Sequence, residues 1–164
     1  MKKYLLMLTL LGTATLTLSA CSSNSTPKST EQTSQATKVS HSTDSKNNTA
    51  AISSVVAKTQ NSMDRLYKEN ATINETYKDI TVSSEGKDTL VLTYVYKKDI
   101  LPKESIPQQK ETLEKQRDAL IDATKMDADN CKKIIPDYKA KYIYTTSDGT
   151  LVYETLITKS DYNK

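Results

Sequence analysis

Apolar residues recur at three- and four-residue steps between Ala51 and Asn70, at Ile52, Val55, Val56, Met63, Leu66 and Tyr67. That spacing lines one side of a helix, with Lys58, Gln60, Asp64 and Lys68 on the other, and it predicts one amphipathic helix. After Asn70 the period drops to two. "YKDITVSSEGKDTLVLTYVYKK" reads as two strands around a Ser83 to Asp88 turn, with Ile80 and Val82 on one side of the first. The second, Thr89 to Lys97, puts Leu90, Leu92, Tyr94 and Tyr96 on one face and Val91, Thr93 and Val95 on the other, until Leu101-Pro102 ends the pattern.

A second helix is expected from Ser105, an N-cap with Gln108 at the capping-box position and Pro107 in the first turn. Leu113, Leu120, Ile121, Thr124, Ala128, Cys131 and Ile135 continue it to Pro136. At 1.5 Å per residue it would run about 45 Å, against about 30 Å for nine-residue strands. It is therefore expected to overhang the sheet or to break, with "MDADN" as the place. "KAKYIYTTSDGTLVYETLITK" is a second hairpin turning at Ser147-Asp148-Gly149, and Asp161 to Lys164 is expected to fray.

The order helix, hairpin, helix, hairpin predicts an α+β domain, αββαββ, with two helices on one face of a four-stranded antiparallel sheet. "TLVLTYVYKK" aligns without gaps on "TLVYETLITK", a faint sign of two αββ units. Polar Lys139, Lys141 and Glu154 mark the wet side of the last two strands, so Tyr142, Tyr144, Leu151, Tyr153 and Ile157 should meet the helices. With no Phe and no Trp among 164 residues, bulk in the core must come from Leu, Ile, Val and Tyr. Helix-facing tyrosines fit a core with hydroxyls at its rim better than a ligand-stacking platform.

The chain opens with Met1-Lys2-Lys3, an apolar run from Tyr4 to Leu18, and Leu18-Ser19-Ala20-Cys21. A positive start, a short apolar stretch and small residues before the cysteine are the layout of a secretory signal, too short for a membrane span. From Ser22 to Thr49, 14 of 28 residues are Ser or Thr, with only Ala36 and Val39 apolar. Such a tract buries too little surface to offset ordering entropy and is expected to be a disordered tether. The organisation expected is a signal over 1–20, Cys21 with the tether over 21–49, and a single domain over 50–164.

The net charge of +3 rests outside that domain, since Ala50 to Lys164 holds 18 basic and 18 acidic residues. No basic field remains to attract phosphates, and no nucleic-acid partner is expected. The one histidine, His41, lies in the tether, where it positions no nucleophile and ligates no metal. Asp127-Ala128-Asp129-Asn130 lacks the Gly and the bidentate Glu of a calcium loop, and Asp118 with Asp122 lies among Lys115, Arg117 and Lys125 as ordinary surface charge. No catalytic residue, metal site or cofactor is expected. Cys131 falls on an apolar helix stripe, where a thiol behaves as a small hydrophobe. The remaining candidate is the sheet face away from the helices, with Val91, Thr93, Val95, Ile143, Val152 and Leu156. It reads equally as a patch for a protein or peptide partner and as a solvated sheet of high β-propensity, and an edge strand could add a peptide or a subunit.

Leu18-Ser19-Ala20-Cys21 resembles the lipobox of bacterial lipoproteins. That resemblance implies cleavage between Ala20 and Cys21, a diacylglycerol thioether on Cys21, and acyl chains such as palmitate holding the protein to the outer face of the plasma membrane. A lipidated Cys21 also implies no disulfide within the mature domain. From Ala50 onward, "DTLVLTYVY", the long Lys-, Asp- and Glu-rich helix and "SDGTLVYE" resemble a family of small lipoproteins of Gram-positive bacteria that share a domain of unknown function. The family supplies no catalytic residues, and the absence of Phe departs from its pattern. The expectation is a membrane-anchored, extracytoplasmic binding or interaction module. The alternative is a cell-envelope enzyme that works with carboxylates and Tyr, for example on glycans.

Overall fold

The computed structural model describes residues 43–164, with side chains from Thr49 onward. Ala20, Cys21, the signal and the tract up to Ser42 lie outside the described residues. The elements run α1 (Thr43–Glu69), α2 (Ala71–Thr76), β1 (Tyr77–Glu85), β2 (Thr89–Tyr96), a 3-10 turn (Lys103–Ser105), α3 (Ile106–Lys115), α4 (Arg117–Cys131), β3 (Lys139–Thr145), β4 (Leu151–Ile157) and α5 (Lys159–Tyr162). The class is α+β, as expected, with more helices than expected. The first helix begins inside the tract read as tether.

The strands lie in the order β1-β2-β3-β4, and the sheet is mixed, not antiparallel. β1 with β2 and β3 with β4 are antiparallel hairpins, whereas β2 pairs with β3 in parallel, Leu92 beside Tyr142 and Tyr94 beside Tyr144. The cause is the connection. A chain that leaves the end of β2 and starts β3 at the opposite end of the sheet must cross over, and α3 and α4 carry it back. Parallel centre strands also exclude two αββ units repeated by translation along the sheet, because that operation would keep β1 and β3 codirectional.

The crossover helix breaks at Gln116, not at "MDADN", which lies inside α4. Gln116 has φ −90° and ψ 2°, and its N–H bonds to the carbonyls of Thr112 and Leu113 at 3.2 and 3.1 Å. The two pieces span about 15 and 23 Å at 1.5 Å per residue, so neither overhangs the sheet.

One side of the sheet carries the core. Ile52, Val55 and Met63 of α1, Leu113 of α3, and Ala128 and Cys131 of α4 close over Ile80, Leu90, Leu92, Tyr142 and Ile157. Tyr77, Tyr94, Tyr96, Tyr144 and Tyr153 gather at one end of the same face. Tyr94 and Tyr144 stack at 4.8 Å with 9° between their rings, and Tyr77 meets Tyr96 at 5.0 Å. Such pairs contribute about 0.5–1.5 kcal/mol each beyond the area they bury. This is the Tyr-built core the composition required.

Two local expectations fail. β4 shifts register between Tyr144 and Thr145, where Thr145 pairs with Leu151 and leaves Val152 as the extra residue. A one-residue shift inverts facing: Val152 is 3% exposed and belongs to the core, while Leu151 is 54% exposed. The C-terminus is also fixed. Thr158 and Asp161 form a capping box at α5, Arg117 donates to Asp161 at 2.8 Å, and the Tyr162 hydroxyl donates to the Tyr138 carbonyl at 2.8 Å.

Candidate functional site

The outer sheet face is assembled by the parallel register at its centre. Thr93 on β2 lies beside Ile143 on β3, Val95 beside Thr145, and Lys141 lies between Val91 and Leu156. Thr93, Val95 and Ile143 are half-buried and Leu156 is 44% exposed, so these four form the accessible apolar surface. Two residues expected there are not available: Val91 is 8% exposed, and Val152 has turned into the core. The bulge that removes Val152 puts Leu151 outside instead. The neighbouring Asp148-Gly149 turn was the only sequence signal near that irregularity.

The lysines on this face are paired with carboxylates, whereas Asp79, beside Val95, forms no ion pair among the described residues. Lys141 Nζ reaches Glu85 at 3.4 Å and Glu154 at 3.3 Å, linking β1, β3 and β4 across the sheet, and these carboxylates raise its pKa. Lys139 Nζ meets Asp88 at 3.0 Å, and the Lys139 N–H donates to the Asp88 carbonyl at 2.9 Å. Burial pushes the Asp88 carboxyl up, but bonds from Lys139 and Thr89 outweigh it and hold the carboxyl below its usual range. Solvent screens such pairs, so they set the charge pattern of the face more than its stability.

The two edges of the sheet differ. Gln60 of α1, which the hydrophobic pattern placed on a polar face, reaches the outer edge of β1. Its Nε2 donates to the Ile80 carbonyl at 3.2 Å, and its Oε1 accepts from the Val82 N–H at 2.6 Å. The Tyr67 hydroxyl lies 3.1 and 3.2 Å from the carbonyl oxygens of Tyr77 and Lys78. Helix side chains thus occupy backbone groups that a further strand would need. Among the described residues β4 has no such side-chain bonds to its backbone.

The helix side holds one carboxyl whose pKa burial raises. Asp127, part-buried on α4, has its pKa pushed up to about 7 by burial. Its charge is felt by Tyr138 and Tyr142, whose own pKa values are raised first by burial. Thr124 donates to the Leu120 carbonyl at 2.7 Å, so Tyr142, 3.2 Å away, is the donor to Thr124. The Tyr138 hydroxyl, by contrast, is buried without a hydrogen-bond partner. Asp127 and Asp129 lie within a helix, not a loop, and Asp118 and Asp122 are exposed on it. Among the described residues no group of three or more His, Cys, Asp or Glu is placed to hold a metal ion, and no helix is long and apolar enough to cross a membrane.

Cys131, at 1% exposure, is buried as expected at the end of α4, but its sulfur is disulfide-bonded, against the expectation of none. The sequence has one other cysteine, Cys21, outside the described residues. No family, curated protein or solved structure matches this chain.

Proposed function

We propose that this protein is a bacterial lipoprotein of the Gram-positive kind, held by lipid on Cys21 at the outer face of the plasma membrane, whose domain serves as a binding module. The lipid reading draws on Leu18-Ser19-Ala20-Cys21, the apolar run before it and the Ser/Thr-rich tract after it. One sulfur cannot hold both a thioether and a disulfide, so lipid on Cys21 and a disulfide through Cys21 exclude each other in a single molecule.

The observation that carries the binding reading is the juxtaposition of Thr93, Val95, Ile143 and Leu156 on an open face whose lysines are already paired, with Asp79 left as a free charge at its rim. An apolar centre with a polar rim is the make-up of a protein-binding patch, and pairing of Lys139 and Lys141 lowers the cost of covering them. Capture with the tagged mature chain tests this against a Val95→Lys, Ile143→Lys double variant. Partners held by the first and lost by the second support the face; partners retained equally by both remove it from consideration.

A further inference from the structure

We propose that β4 is an assembly edge, through which two copies of this chain pair antiparallel about a twofold axis. In an antiparallel edge strand, alternate residues turn N–H and C=O groups away from the sheet. On β1, Gln60 and Tyr67 take the carbonyls of Tyr77, Lys78 and Ile80 and the N–H of Val82. On β4, no other described residue outside β3 bonds to the backbone of Leu151–Ile157; Arg117 reaches only the Thr155 hydroxyl, at 3.4 Å. A row of free donors and acceptors at strand spacing is matched by an extended polypeptide.

The asymmetry of the edges selects a second copy as that polypeptide. Among the described residues β4 is the edge without side-chain bonds to its backbone, so two molecules satisfy each other there in a closed pair, and the partly covered β1 edge is a poorer template for further growth of the sheet.

The side chains select the register. Twofold antiparallel pairing keeps every side chain on its own face, so one β4 residue must lie opposite its own copy. Centring on Glu154 would oppose two carboxylates. Centring on Thr155 sets Thr155 against Thr155, Tyr153 against Ile157, and Glu154 against Leu156. Thr-Thr is among the favourable cross-strand combinations, whereas like charges directly opposite are unfavourable; Tyr153 and Ile157, 6% and 0% exposed, are covered within their own molecule and add no contact. The Thr155-centred register also leaves Glu154 beside Lys141 within its own molecule.

Sedimentation of the full chain, purified in mild detergent with micelles in large excess, tests the pairing through position 156, which is exposed enough to accept a charge without disturbing the core. The expected results are a dimer for the unaltered chain, a dimer retained by Leu156→Lys, which faces the partner's carboxylate, and dissociation at least about fivefold easier for Leu156→Glu, which opposes two acids. Double variant Glu154→Lys, Leu156→Glu should recover the dimer. A monomer for the unaltered chain, or equal effects of Leu156→Lys and Leu156→Glu, would overturn the proposal.

Discussion

The side-chain amide of Gln60 bonds to Val82 across the outer edge of β1, at 2.6 Å from its N–H, and completes the mimicry of a strand by donating to Ile80. A helix residue thereby occupies the middle of one edge of the sheet while its own helix packs on the core face. Gln60→Ala leaves both backbone groups open to water and to other chains. A loss of about 1–2 kcal/mol is expected from the two bonds, read as a lower urea midpoint at unchanged slope. Concentration-dependent association should accompany it, because the freed edge is a template for pairing.

The β4 bulge gives neighbouring residues opposite sensitivities. Val152→Asp places a carboxylate in the core and should cost more than about 3 kcal/mol. Leu151→Asp, one position earlier on an exposed side chain, should stay within about 0.5 kcal/mol. Equal costs at the two positions would show that the register shift between Tyr144 and Thr145 is absent.

Asp127 gives the fold an acid-side advantage. Its carboxyl titrates near 7 in the fold because burial disfavours the charged form, and near 4 when unfolded. The folded chain therefore holds a proton that the unfolded chain releases. This contribution is complete below about pH 4 and is lost as pH rises through about 7. At about 1.4 kcal/mol per pH unit the loss is at most about 4 kcal/mol. Asp127→Asn removes the titration, so its stability advantage over the unaltered chain should grow between pH 4 and pH 8 in paired urea unfolding curves.

Asp161 works in the other direction. The Arg117 guanidinium, then the Thr158 N–H and hydroxyl, hold its carboxyl down at about 2. Its contribution is present above about pH 4 and fades as pH falls through about 2. The pair is partly open to solvent, so Arg117→Ala should cost only about 1 kcal/mol. Hydrogen exchange should show the loss concentrated at α5 and Tyr162, with the β2 and β3 amides unchanged.

The two chemistries of Cys21 are separable by mass. Lipidation predicts a membrane-bound product that begins at Cys21, with the mass of two or more acyl chains added, and a Cys21→Ala variant that is released or left as uncleaved precursor. An unlipidated protein two mass units lighter before reduction than after it would place a disulfide at Cys21 and sink the lipid anchor.

Local order along the chain was legible because each element is specified by near neighbours. Three- and four-residue apolar steps built the helix through Ile52, Val55 and Met63, alternation built Leu90 to Tyr96, and the Ser147-Asp148-Gly149 turn closed the second hairpin. The lack of Phe and Trp already required the Tyr-rich core. Several decisions were made elsewhere. Whether β3 runs with or against β2 depends on how many times the connection crosses the sheet, which helix periodicity does not state, and the break at Gln116 is marked by no Gly or Pro. Whether Val152 or Leu151 faces inward depends on one unpaired residue, which shifts facing without changing composition. Gln60 reads as solvent-facing on its own helix and becomes an edge plug only once β1 lies beside it, 20 and 22 residues further along. Sequence alone determined the four strands, the two main helical stretches and the core's chemistry; the tertiary structure decided strand direction, register, the helix break and which of the face residues stay accessible, because those depend on backbone groups that every residue carries alike.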